Sequence, residues 1–73
     1  MPRLKVFSGE RLCRLLKDHG FEPVRQRGSH VVMQRNLGGS TTTVPVPLHE
    51  ELRKGTLRAI IRQTGLPREL FEQ

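Results

Sequence analysis

The sequence predicts an α+β domain in the order helix–strand–strand–strand–helix, with a three-stranded antiparallel sheet and a short helical turn at the end. Two segments repeat apolar residues at i, i+3, i+4 and i+7, the period of an amphipathic helix. Between them lie extended runs rich in β-branched residues, separated by glycine-containing turns. The chain has 73 residues and reads as a single domain, 1–73. A chain of this size buries only about 60–65% of its unfolded surface, so its core is lean.

The first helix, over about residues 8–19, carries Leu12, Leu15, Leu16 and His19 on one face. Ser8 suits the N-cap, Glu10 the positive end of the helix dipole and Lys17 the negative end. Gly20 follows as the residue that can take positive φ. The first strand spans Phe21–Gln26, where Pro23 restricts it to an edge. Arg27-Gly28-Ser29 makes a turn into the second strand, His30–Arg35. Asn36–Ser40 reads as the next hairpin connection and Thr41–Pro47 as the third strand, again an edge because of its prolines. Leu57, Ile60, Ile61 and Thr64 mark the second helix, starting near Gly55-Thr56 and ending at Gly65. Pro67–Phe71 forms a last turn opened by proline, and Leu4–Phe7 is an irregular extended stretch. Both helices are expected to cover one sheet face and leave the other open, which is the order of elements of a double-stranded-RNA-binding domain.

Thirteen Lys and Arg against seven Asp and Glu give a net charge of +6. No acidic residue lies between Glu22 and Glu50, whereas Arg25, Arg27, His30, Arg35 and His49 do. Such a field attracts polyanions, and its placement points to a phosphate-facing surface. Cys13 is the only cysteine, so no internal disulfide or cysteine metal cluster can form, which fits a reducing compartment. Residues 1–6 lack the apolar run of a leader, and no stretch approaches the ~18 apolar residues of a membrane span. The expected address is the cytoplasm.

Of the three histidines, none has an acidic or cysteine companion at a metal-like spacing, and no metal site is expected. His19 closes the first helix. His49, after Pro-Val-Pro-Leu, either faces a substrate phosphate or orients its loop. His30 follows Gly28-Ser29 at the start of a strand, beside Arg25 and Arg27. Imidazole exchanges protons near neutrality, its ordinary pKa being about 6.5. RNA brings its own nucleophile, the 2′-hydroxyl, so cleavage needs only proton transfer and positive charge on the phosphate. His30 can move the proton, Arg25, Arg27 or Arg35 can supply charge, Gly28 lets the backbone approach a phosphate, and Ser29 can donate a hydrogen bond. From spacing alone, a turn histidine beside scattered arginines fits equally well. A single aspartate, Asp18, disfavours a paired-carboxylate nuclease, and the absence of Trp and Tyr disfavours base stacking.

Nearly the whole chain resembles the HicA family of messenger-RNA-cleaving toxins. The resemblance is carried by Leu16–Phe21, Arg25–His30 with its Gly-Ser-His turn, Val46–His49, and the Gly-Thr-Leu start within Lys54–Leu66. It implies a double-stranded-RNA-binding-like fold, metal-independent endoribonuclease activity on mRNA, catalysis by His30, and neutralisation by a HicB-type antitoxin. Many members carry a second histidine directly after this one; here that position is Val31, leaving the second proton-transfer group open, with His49 the candidate. Two other readings remain: a non-catalytic RNA-binding module using the same basic surface, and an interaction protein whose basic face meets an acidic partner.

Overall fold

A computed structural model describes residues 2–73; Met1 lies outside the described residues. The elements are α1 (Gly9–Asp18), β1 (Glu22–Arg27), β2 (His30–Leu37), β3 (Ser40–Pro47), α2 (Lys54–Thr64) and a 3₁₀ turn, Arg68–Phe71. The α+β order expected from the sequence is the order observed.

Helix α1 begins where the Ser8 hydroxyl accepts a hydrogen bond from the Arg11 amide at 3.0 Å. It ends in a Schellman motif. The amide of Phe21 donates to the Leu16 carbonyl at 3.0 Å and that of Gly20 to Lys17 at 3.2 Å, with Gly20 at φ +91°. The accompanying apolar contact falls between Phe21 and Leu16, both in the buried core. Phe21 therefore drops beneath the sheet, and β1 starts one residue later than the sequence suggests. Helix α2 stops at Gly65, φ +71°. The buried Thr64 hydroxyl closes that end, donating to the Ile61 carbonyl at 2.7 Å and accepting from the Leu66 amide at 3.1 Å.

The sheet order is β1-β2-β3, so both proline-containing strands are edges, as their missing amide donors require. The β2–β3 connection is tighter than the expected five residues. Gly38 and Gly39 both take positive φ, 53° and 87°, the pair that a type I′ hairpin turn demands, so β2 runs on to Leu37 and β3 starts at Ser40. In β1 the register slips between Pro23 and Arg25, leaving Val24 as the extra residue of a bulge.

Cross-strand partners share a face, so the register Val31↔Val46 and Met33↔Val44 identifies the inner one; these four side chains are buried against the helices. Leu12, Leu16, Phe21, Leu57, Ile60 and Ile61 complete that layer. The helices cover β2 and β3 only. Every residue of β1 is exposed, so the two-layer sandwich has an overhanging third strand. At the far side of the core, Phe7 meets Phe71 edge-on with ring centroids 6.0 Å apart. The expected irregular segment at Leu4–Phe7 gains a partner there. Lys5 donates to the Phe71 carbonyl at 2.8 Å and Gln73 to the Arg3 carbonyl at 2.9 Å, so the two ends of the chain pair with each other. Pro67 is extended, and the last turn follows it rather than including it.

Arg35 shares the inner face with Val31 and Met33. Its guanidinium lies 4.8 Å from the centroid of the Phe21 ring and donates to the carbonyls of His19 at 3.3 Å and Thr64 at 3.4 Å. Those carbonyls close α1 and α2, so one cation caps the negative ends of both helices. Arg35→Met, which keeps the stem but not the charge, is expected to cost about 1–3 kcal/mol, read as a fall in the thermal unfolding midpoint.

Cys13 is half-buried on α1, above a groove it shares with Pro23, Val31, Met33 and Leu48. Burial pushes its thiol pKa up, and the Lys17 charge opposes this only in part. Alkylation by iodoacetamide at neutral pH is expected to be slower in the folded than in the guanidinium-unfolded protein, because the thiolate is the reacting form.

Candidate functional site

The open face of the sheet is set by the same register. Arg27 stands directly opposite His30, Arg25 opposite Val32, and on the other side Pro47 opposite His30. Alternation along β2 turns His30 away from buried Val31. Arg25, Arg27 and His30 therefore share the uncovered face, all three exposed to solvent. Among the described residues, neither arginine is ion-paired and no side chain holds the imidazole. Glu22, the carboxylate in register on this face, sits opposite Gln34 toward the other end of the strands.

The turn beneath these groups is braced twice. Gly28 takes φ +55°, and its carbonyl accepts from the Gln26 side chain at 3.4 Å. The Ser29 carbonyl accepts from the Leu48 amide at 2.5 Å, which ties the β1–β2 turn to the segment leaving β3. That segment is held in turn, since the Gly9 amide donates to the His49 carbonyl at 2.9 Å. His49 thus lies at the same end of the molecule as Ser29 and His30, but on a loop beside Ser8, Glu10 and Glu50 rather than on the sheet face.

Both helices start at this end. α1 opens at Gly9 against His49, α2 follows the same loop, and both finish at the opposite end, where Arg35 reaches them. Their dipoles run in the same sense, and their positive ends add to the field around the turn. The arrangement can attract a phosphodiester, hold it on arginine, and offer one imidazole for proton transfer.

Of the residues singled out in the sequence, Arg25, Arg27, Gly28, Ser29 and His30 come together, and His49 lies nearby. Arg35 does not join them. The sequence reading groups it with the substrate-facing arginines, but it points to the inner layer and its guanidinium is occupied by two helix ends. Leu48 and Gly9, which hold the turn and loop, escape that reading. Gly9 does leave a signal: a glycine just inside a helix start weakens the helix, so its presence asks for a reason such as close backbone approach.

A family model described as "HicA toxin of bacterial toxin-antitoxin" matches residues 9–66, from the first residue of α1 to just beyond α2. No curated protein matches the chain.

Proposed function

The chain belongs to the HicA toxin family of bacterial toxin–antitoxin systems, and on that premise we propose that it is a metal-independent endoribonuclease that cleaves mRNA in the cytoplasm with His30 as its proton-transfer residue. The observation that carries this reading is the register of His30 with Arg27 on an open, arginine-bearing sheet face. In the reaction, the 2′-oxygen of the RNA bonds to phosphorus as the bond to the 5′-oxygen breaks. One proton leaves the 2′-hydroxyl and one reaches the departing 5′-oxygen, giving a 2′,3′-cyclic phosphate and a 5′-hydroxyl. His30 handles one of those protons. Arg27 and Arg25 hold the phosphate oxygens and offset the charge that develops on them. Gly28 lets the strand approach the turn, and the Ser29 hydroxyl donates to a phosphate oxygen. His49 supplies the second proton transfer from its loop at the same end.

The toxin has an antitoxin partner, which we assign to the HicB type. It neutralises by covering the open sheet face, so RNA and antitoxin compete for one surface. Purified protein incubated with a single-stranded RNA and excess EDTA is expected to yield fragments ending in 2′,3′-cyclic or 3′-phosphate, identified by mass spectrometry. Intact RNA after prolonged incubation would exclude the nuclease reading.

A further inference from the structure

A second basic surface lies away from the sheet face, on the helical layer. The paired chain ends and the first half of α2 border an open cleft of about 520 Å³, lined by Arg3, Lys54, Arg58 and Arg68 together with Leu4 and Val6. Gln73 also lines it, and the lining contains no Asp or Glu side chain. Among the described residues, Arg3, Lys54 and Arg58 have no ionic partner. Arg68 is anchored instead. Its Nε donates to the Glu72 carboxylate at 2.7 Å, which fixes the guanidinium while leaving its terminal nitrogens unclaimed among the described residues. The walls are fixed too, because the Lys5–Phe71 and Gln73–Arg3 backbone bonds hold both chain ends in place. Three unpaired cations and one held by Glu72 line the cleft, an excess of positive charge that favours an anion. Val6 is 64% exposed, more than any other large apolar side chain of the described residues. Cations set beside apolar side chains match a nucleic-acid strand, which presents phosphates along one edge and sugars along the other.

We propose that this cleft is a second phosphodiester-binding site for single-stranded RNA, separate from the sheet-face site. The proposal rests on the reading of the sheet face as the cleavage site. RNA is favoured over an acidic protein because the sheet face at the same side of the loop is read as an RNA site; the loop that carries His49 leads through Glu50, Glu51 and Arg53 into Lys54 beside the cleft. A strand leaving the His30 face around that loop passes Glu50 and Glu51 before it meets Arg53 and the cations of the cleft. The cleft then adds affinity only for RNAs long enough to reach it.

The test uses the His30→Ala protein, which binds without cutting, and 5′-fluorescein-labelled oligouridylates of three and twelve nucleotides. Affinity is measured by fluorescence anisotropy across a KCl series. Relative to that parent, adding Lys54→Gln and Arg58→Gln is expected to reduce the slope of log K against log [KCl] by about 1.4 for the dodecamer, at about 0.7 for each phosphate that is no longer neutralised. Dodecamer affinity at low salt falls about tenfold, and the trinucleotide is unaffected. Adding Arg11→Gln and Arg62→Gln removes the same charge outside the cleft and leaves the dodecamer slope in place. An unchanged dodecamer slope in the Lys54/Arg58 variant overturns the proposal. So does an equal loss for both lengths or in the Arg11/Arg62 control, since either marks a general field effect, and so does a parent that binds neither RNA. Loss of poly-glutamate binding with RNA binding intact would reassign the cleft to an acidic protein. Failure of the nuclease reading is seen separately, as wild-type protein that leaves RNA uncut while the slopes still differ.

Discussion

His30→Ala is expected to slow RNA cleavage by about 10²–10⁴-fold, the range a single general acid or base contributes. It should also relieve the growth arrest caused by expressing the wild-type chain. The loss is chemical rather than structural. His30 is exposed at a strand end and makes no side-chain hydrogen bond among the described residues, so the variant should unfold within about 0.5 kcal/mol of wild type. RNA affinity should persist, because Arg25 and Arg27 remain on the face. Single-turnover cleavage of a labelled RNA, alongside anisotropy binding, separates these effects. A variant that cuts at the wild-type rate would remove His30 from the mechanism. A wild-type protein that binds RNA with a steep salt dependence and never cuts it would favour the non-catalytic binding module. The surroundings make this contest real: His30 has Arg27 on one side and Pro47 on the other, so no second titrating group flanks it in register.

Much of this site is legible in the sequence because its parts are local. The Gly20 stop, the β-branched runs and the Gly-Ser turn each act through neighbours in the chain, and they fix a hairpin that brings Arg25, Arg27 and His30 onto one face. The placement of Arg35 on the inner face is legible too, from phase. Side chains alternate along a strand, and an odd separation sends His30 and Arg35 to opposite faces, while Arg35 falls in phase with Val31 and Met33. Local pattern could not show what Arg35 does there, since its acceptors, His19 and Thr64, are the ends of two helices that meet only in the folded chain. The same holds for the basic cleft. Arg3 and Arg68 sit near opposite termini, and nothing in either segment announces that Leu4 will pair with Glu72. The overhang of β1 is likewise a packing outcome, for two helices of ten and eleven residues cover two strands and leave the third bare.

Gly9→Ala is expected to be the most damaging single-methyl change in the chain. A Cβ on Gly9 would fall on the Pro47 carbonyl oxygen and come within 2.8 Å of the Leu48 Cα and 2.9 Å of the Pro47 carbonyl carbon. All three are backbone atoms and cannot swing aside as a flexible side chain would. Either α1 lifts from the end of β3 or the Pro47–His49 segment shifts, and both break the Gly9–His49 hydrogen bond. The cost should be about 3 kcal/mol, toward the upper end for overpacking, which lowers the thermal midpoint by about 12–24 °C in a domain of this size. Gly55→Ala is the matched control. Its Cβ meets open space, and its φ needs no glycine, so alanine in α2 should stabilise by about 0.5–1 kcal/mol. Cleavage adds a second readout. At temperatures where Gly9→Ala remains folded, its activity should still fall, because Leu48 no longer holds the Ser29 carbonyl and the turn bearing His30 loses its brace. If Gly9→Ala instead melts with wild type and cuts as fast, α1 does not seat against β3 this closely, and the turn is held by the hairpin alone.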